Sequence, residues 1–81
     1  MTSIAERVRG LIARRLKRPE DEIGDDKQLG ADLGADSLAL VDIVMDVEDA
    51  FGIEIPDAES ERLVSALDIS GYVERQLASR G

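Results

Sequence analysis

The 81-residue sequence predicts an all-α fold: a four-helix bundle with a long first loop and a short third helix. Apolar side chains recur at helical spacing in three segments, and residues typical of helix starts precede those segments. Between Pro19 and Asp36 the helical period lapses into a stretch rich in Asp, Glu and Gly, which predicts the loop. The length fits a single domain spanning residues 1–81.

The first helix is predicted over about residues 4–17. Ser3 and Glu6 have the spacing of a capping box, in which a hydroxyl and a carboxylate each satisfy an early amide. The helix ends before Pro19, because the residue that precedes a proline is disfavoured in helical conformation. The apolar residues of the first helix share one face: Ile4, Val8, Leu11 and Ile12.

The loop that follows is long for a small domain, and loops of this length are usually functional. Ile23, Leu29 and Leu33 are its only large apolar residues. We expect these three side chains to pin the loop against the helices.

A second helix is predicted from a cap at Asp36 or Ser37 to about Phe51, where Gly52 suits a left-handed C-terminal residue. At about 100° per residue, this helix has a core face and, nearly opposite, an acidic stripe. The predicted core face is Leu40, Val44, Val47 and Phe51. The acidic stripe is Asp42, Asp46 and Asp49.

Two large apolar residues of the second helix, Leu38 and Met45, fall beside the acidic stripe and away from the core face. Val41 and Glu48 lie on the flank of the same surface. Apolar side chains ringed by carboxylates predict a docking surface, where charge steers a basic partner and apolar side chains supply contact. The alternative is a loose apolar stripe that has no partner.

The remaining elements are less strongly marked. A brief third helix is predicted over about residues 57–63, after the helix-compatible Pro56. Ser65 and Asp68 have the spacing of another helix start. The fourth helix that follows places Ile69, Tyr72 and Val73 near one side.

The composition excludes several function classes. The net charge of −8 disfavours nucleic acid as a partner and favours proteins with basic patches, although a merely solvated acidic surface is the alternative. Histidine and cysteine are both absent, which removes the commonest general base, the usual metal ligands and any thiol nucleophile. No apolar run reaches the roughly 20 residues that span a bilayer, so we expect a cytoplasmic protein without membrane insertion.

Ser37 is the residue whose chemistry is least explained by packing, although a serine at a helix start is most often a cap. Asp36-Ser37-Leu38 is similar to a hydrolase motif, but there is no histidine to accept the serine proton. We therefore expect no catalytic residue. The acidic loop lacks the ligand spacing of a calcium loop, so no dedicated metal site is expected either.

The run Leu33-Gly34-Ala35-Asp36-Ser37-Leu38, with the acidic helix after it and then Phe51-Gly52-Ile53-Glu54-Ile55-Pro56, resembles the signature of the acyl carrier protein family. The resemblance implies that Ser37, flanked by Asp36 and Leu38, carries 4′-phosphopantetheine, transferred from coenzyme A by a phosphopantetheinyl transferase. It also implies a non-catalytic carrier that holds acyl groups as thioesters on that arm.

The resemblance implies two further sets of residues. The surface that docks the transferase and basic synthases, reductases and acyltransferases is formed by Leu38, Val41, Asp42, Met45, Asp46, Glu48 and Asp49. The lining of the bound acyl chain is formed by Val44, Val47, Phe51, Ile55 and Leu63.

The pathway stays open between fatty-acid, polyketide and special-lipid synthesis, since Ala39 stands where the family often has an acid. An aminoacyl or peptidyl carrier and an unmodified acidic interaction module are the alternatives. We expect a freestanding monomer.

Overall fold

The computed structural model describes residues 2–80, with side chains for residues 2–79. Four α-helices follow one another in this part of the chain: α1 at Ile4–Leu16, α2 at Ser37–Phe51, α3 at Asp57–Ser60 and α4 at Ala66–Arg80. A single 3₁₀ turn at Glu20–Glu22 interrupts the long first loop. The predicted all-α fold is confirmed. Within residues 2–80 no helix is both long and apolar enough to cross a bilayer.

Helix α1 begins at a cap and ends at a left-handed residue. The Ser3 hydroxyl accepts a hydrogen bond from the Glu6 amide at 3.1 Å, whereas the Glu6 carboxylate bonds the Ser3 hydroxyl at 3.2 Å. Only half of the predicted capping box therefore forms. The backbone turns at Lys17, whose φ is 58°, and the Arg18 amide donates to the Ala13 carbonyl at 2.9 Å. Helix α1 contacts both α2 and α4.

The core face of α2 is rotated relative to the prediction. Val47 and Phe51 are buried as expected, but Leu40 and Val44 are only half-buried. Ile43, which the predicted core face omits, is completely buried. All three side chains line one cavity, but only Ile43 has no exposed surface, so the buried side of α2 is centred nearer to Ile43.

The long first loop is tied to the connection between α3 and α4. Ile23, Leu29 and Leu33 are buried, which confirms that they pin the loop. The Leu29 amide donates to the Val64 carbonyl at 2.8 Å, and the Leu67 amide donates to the Asp25 carbonyl at 3.1 Å. These bonds hold the far end of the loop in place, and that end leads into α2.

Helix α3 is shorter than predicted, because it ends at Ser60 and the chain turns before Leu63. The Ser65 hydroxyl forms the predicted cap at the start of α4, whereas the Asp68 carboxylate binds the amide of the residue before Ser65. The Asp68 amide donates to the Ser65 hydroxyl at 3.2 Å, and the Asp68 carboxylate accepts from the Val64 amide at 3.1 Å. The predicted core residues of α4, Ile69, Tyr72 and Val73, are all buried, and α4 packs on α1.

Candidate functional site

Ser37 lies at the first position of α2, and its hydroxyl is free. The capping role falls to Asp36, whose carboxylate accepts a hydrogen bond from the Ala39 amide at 2.8 Å. Ser37 is exposed, and within residues 2–80 its hydroxyl has no hydrogen-bond partner. A serine that is not needed as a cap is therefore presented to solvent at the start of a rigid helix.

The turn that precedes Ser37 is anchored on one side and open on the other. Ala35 is buried, and its amide donates to the Leu29 carbonyl at 2.9 Å. Gly34 has a φ of 73°, a backbone conformation that residues other than glycine rarely adopt. A Cβ at this position would meet nothing within 4 Å. The turn is thus open at Gly34, while the backbone at Ala35 is fixed.

The electrostatics of this helix start suit a phosphodiester. Because Asp36 takes the Ala39 amide, the amides of Ser37 and Leu38 have no acceptor in the described part of the chain. Unpaired amides and the positive end of the helix dipole attract negative charge, typically by about 0.3–1 kcal/mol. The exposed hydroxyl, the open side of the turn and these amides together fit a phosphate group bound through Ser37.

A cavity of about 510 Å³ lies between α2, the first loop, α3 and the start of α4, and Ser37 is part of its lining. The large apolar side chains of the lining come from the first loop, α2, α4 and the connections on either side of α3: Leu29, Leu40, Val41, Ile43, Val44, Met45, Ile55, Leu63, Val64 and Ile69. Polar groups of the lining include Gln28, Glu48, Asp57, Ser60 and Glu61. An apolar ligand attached near Ser37 therefore has an apolar recess within reach.

The five predicted acyl-lining residues divide between this cavity and the core. Val44, Ile55 and Leu63 line the cavity. Val47 and Phe51 are buried outside its lining, and the Arg7 guanidinium lies over the Phe51 ring at 4.3 Å from the centroid. Leu40 and Ile43 line the cavity but were missing from the predicted set, although their helical spacing to Val44 and Ser37 is a usable signal.

The apolar part of the predicted docking surface is exposed. Leu38 is 69% exposed, and Val41 and Met45 are each 54% exposed. Val64, just before α4, and Leu67, in its first turn, are exposed too, at 48% and 56%. Sequence reasoning missed these two, because nothing in the chain order indicates that the start of α4 comes close to the first loop.

The four carboxylates of the predicted docking surface differ in their partners. Asp46 accepts two hydrogen bonds from Arg15 of α1, from Nε at 2.9 Å and from Nη2 at 2.8 Å. Asp42 lies 3.9 Å from Arg15 Nη1. Glu48 accepts from the Ile55 amide at 2.8 Å. Asp49 is exposed and, within residues 2–80, its side chain has no partner.

The Arg15 guanidinium is charged throughout the neutral range. The hydrogen bond with Asp46 and the negative charge of that residue raise the pKa of Arg15 above its ordinary value. Partial desolvation opposes this shift, and the charge of Asp42 adds to it.

Comparison with known proteins identifies the family. The family described as "Phosphopantetheine attachment site" matches residues 6–73. An acyl carrier protein of Campylobacter hominis is 44% identical over 71 residues, covering 88% of this chain and 90% of the relative. The acyl carrier protein of Thermotoga maritima is 40% identical over 74 residues, covering 91% of each chain. That of Akkermansia muciniphila is 44% identical over 73 residues, covering 90% of this chain and 91% of the relative.

The chain belongs to the acyl carrier protein family. It is an acyl carrier that uses a 4′-phosphopantetheine group, as the family match and the relatives together indicate. Its relatives are carriers, and a carrier domain implies interaction with synthase enzymes and with a phosphopantetheinyl transferase.

In this acyl carrier protein, Glu48 has a structural contact that can be tested separately from docking. Glu48→Ala is expected to lower the free energy of unfolding by about 1–3 kcal/mol, because it leaves the partly buried Ile55 amide without its acceptor. Glu48→Gln retains a carbonyl oxygen and should recover part of that loss. Urea unfolding followed by circular dichroism measures both, with the exposed Asp49→Ala as the matched control. Equal stability of Glu48→Ala and Asp49→Ala would contradict the prediction.

Proposed function

We propose that Ser37 is the residue that carries 4′-phosphopantetheine and that the chain itself is a non-catalytic substrate of the transferase. The observation that carries the proposal is the Ser37 hydroxyl, exposed and without a hydrogen-bond partner in the described residues, at the start of α2. When bound, the group supplies a terminal thiol that holds an acyl chain as a thioester. The chain has no cysteine, so this thiol would be its only one.

The residues around Ser37 have separate roles in this proposal. Asp36 caps α2 through the Ala39 amide and so leaves the hydroxyl of Ser37 available. The amides of Ser37 and Leu38 would hold the phosphate and stabilise its charge. Leu38, which is 69% exposed, offers apolar contact to the enzyme that installs the group.

The acyl chain is proposed to occupy the cavity beside Ser37. Support comes from the apolar lining, in which Val44, Ile55 and Leu63 were expected on resemblance and Leu40 and Ile43 join them. Burial of each methylene contributes about 0.8 kcal/mol, which favours a chain that folds back into the protein over one that stays in water. Val47 and Phe51 contribute through the core that supports this wall.

The proposed docking surface combines apolar and acidic side chains of α2. Leu38, Val41 and Met45 supply apolar contact, and Met45 adapts to partners of different shape. The charged members are Asp42, Asp46, Glu48 and Asp49. The partners proposed for this surface are the transferase and basic synthases, reductases and acyltransferases. We also propose a cytoplasmic monomer, since a net charge of −8 disfavours self-association.

The test is intact mass spectrometry after incubation with coenzyme A and a broad-specificity phosphopantetheinyl transferase. One phosphopantetheine per chain, located on Ser37 by peptide fragmentation, is the expected result. An unchanged mass would favour an unmodified acidic interaction module and would refute the proposal. Mass spectrometry of the protein isolated from its native host, with its thioester intact, then distinguishes acyl from aminoacyl cargo.

A further inference from the structure

The acidic stripe of α2 is partly occupied by a cation of the same chain. Arg15 belongs to the last turn of α1, and that turn lies against the middle of α2. Its guanidinium makes two parallel hydrogen bonds to Asp46, and its third nitrogen lies 3.9 Å from Asp42. This bidentate geometry is the strongest that a guanidinium forms with a carboxylate.

The pairing changes what a basic partner meets at this surface. At distances larger than the separation of the two groups, the charges of Arg15 and Asp46 largely cancel. The acidic stripe therefore presents less negative charge to a partner than its composition indicates. Both oxygens of Asp46 already accept from Arg15, and its side chain is only 27% exposed. Arg15 itself is 42% exposed and faces the same side, where it repels an approaching cation.

The neighbouring residues of α1 extend this basic edge. A groove of about 490 Å³ runs between α1 and α2 and is lined by Leu11, Arg14, Arg15, Lys17, Asp46, Asp49 and Ala50. Arg14 and Lys17 are exposed, and within residues 2–80 their side chains form no hydrogen bond or ion pair. Arg14 therefore has the same charge and nearly the same place as Arg15, but it does not bind Asp46.

We propose that Arg15 is a specificity-determining residue that competes, within the chain, with basic partner proteins for Asp42 and Asp46. The proposal rests on the docking function proposed above. A partner that binds through Asp42 and Asp46 must first displace Arg15. A partner that binds through Asp49 and the apolar side chains Leu38 and Met45 does not. Arg15 thus weakens the first class of partner relative to the second.

The test measures binding of a broad-specificity phosphopantetheinyl transferase, without coenzyme A, to the parent chain and to its variants. Arg15→Gln is expected to tighten binding about threefold at an ionic strength of about 0.02 M, and the gain should vanish at about 0.5 M. Arg14→Gln, the matched control, changes the net charge equally and should give a clearly smaller gain. Arg15→Gln/Asp46→Asn, which restores the parent's net charge and leaves only Asp42 released, should lose most of the gain of Arg15→Gln.

Circular dichroism verifies that each variant is folded, and Arg15→Met, which keeps the apolar stem, serves as a second uncharged variant. The proposal is overturned if Arg15→Gln and Arg15→Met bind no more tightly than Arg14→Gln. It is also overturned if the double variant keeps the gain of Arg15→Gln. If the parent chain binds the transferase and is modified on Ser37, but the variants of Arg15 and Arg14 bind alike, only the proposed competition is refuted. A parent chain that takes no phosphopantetheine overturns both proposals.

Discussion

Replacement of Ser37 by alanine is expected to abolish phosphopantetheine addition completely while leaving the fold intact. The hydroxyl of Ser37 forms no hydrogen bond within residues 2–80, and the cap of α2 is the Asp36 carboxylate. Alanine is a good helix former, so the exchange removes the attachment oxygen without removing a structural contact. Intact mass after incubation with coenzyme A and transferase should equal the mass of the unmodified variant.

The matched control for this prediction is Ser60→Ala. Ser60 lines the same cavity as Ser37, but its hydroxyl donates to the Asp57 carbonyl at 2.9 Å. Ser60→Ala should therefore accept phosphopantetheine as the parent chain does. An adduct on Ser37→Ala, or loss of the adduct only in Ser60→Ala, would place the attachment elsewhere. Unfolding curves of the two variants within about 0.5 kcal/mol of the parent would show that the loss is chemical and not structural.

Much of the site could be predicted because its residues follow one another in the chain. The anchor of the first loop, the start of α2 and the left-handed Gly52 all lie where local rules put them. Ser37 could be singled out because the absence of histidine argues against a catalytic nucleophile, and because the neighbouring motif indicates an attachment site. In these cases the information is local, so a single sequence contains it.

What could not be predicted depends on contacts between distant segments. The pairing of Arg15 with Asp46 joins residues that are 31 positions apart, and the helical pattern of α2 alone indicates only that Asp46 is solvent-facing. Glu48 likewise looks like a docking charge until the chain returns to place the Ile55 amide against it. The number of charged residues on a helix face can therefore be predicted from the sequence, but how many of them are available to partners cannot.

The rotation of the α2 core face has the same origin and can be measured. Helical spacing alone centres the core face on Leu40, Val44, Val47 and Phe51, because those residues are apolar at nearly one angle. Leu40, Ile43 and Val44 all line the cavity beside Ser37, but Leu40 and Val44 are only half-buried. The position that packing fills completely is Ile43, which has no exposed surface.

Ile43→Ala is accordingly expected to lower the free energy of unfolding by about 2–5 kcal/mol, since it removes buried methyl groups and leaves a void. Domains of this size have about 4–12 kcal/mol in total, so the loss is a large fraction of the stability. Leu40→Ala removes a side chain of similar size from a half-buried position, so it should cost clearly less. Leu38→Ala, at 69% exposure, should stay within about 0.5 kcal/mol of the parent.

Urea unfolding followed by circular dichroism gives the three values on one scale. The order Ile43, then Leu40, then Leu38 is expected of a helix whose core side is centred on Ile43. A loss at Leu40 equal to or larger than the loss at Ile43 would mean that α2 has the orientation predicted from helical spacing alone. The comparison of Ile43→Ala with Leu40→Ala therefore tests which side of α2 faces the core.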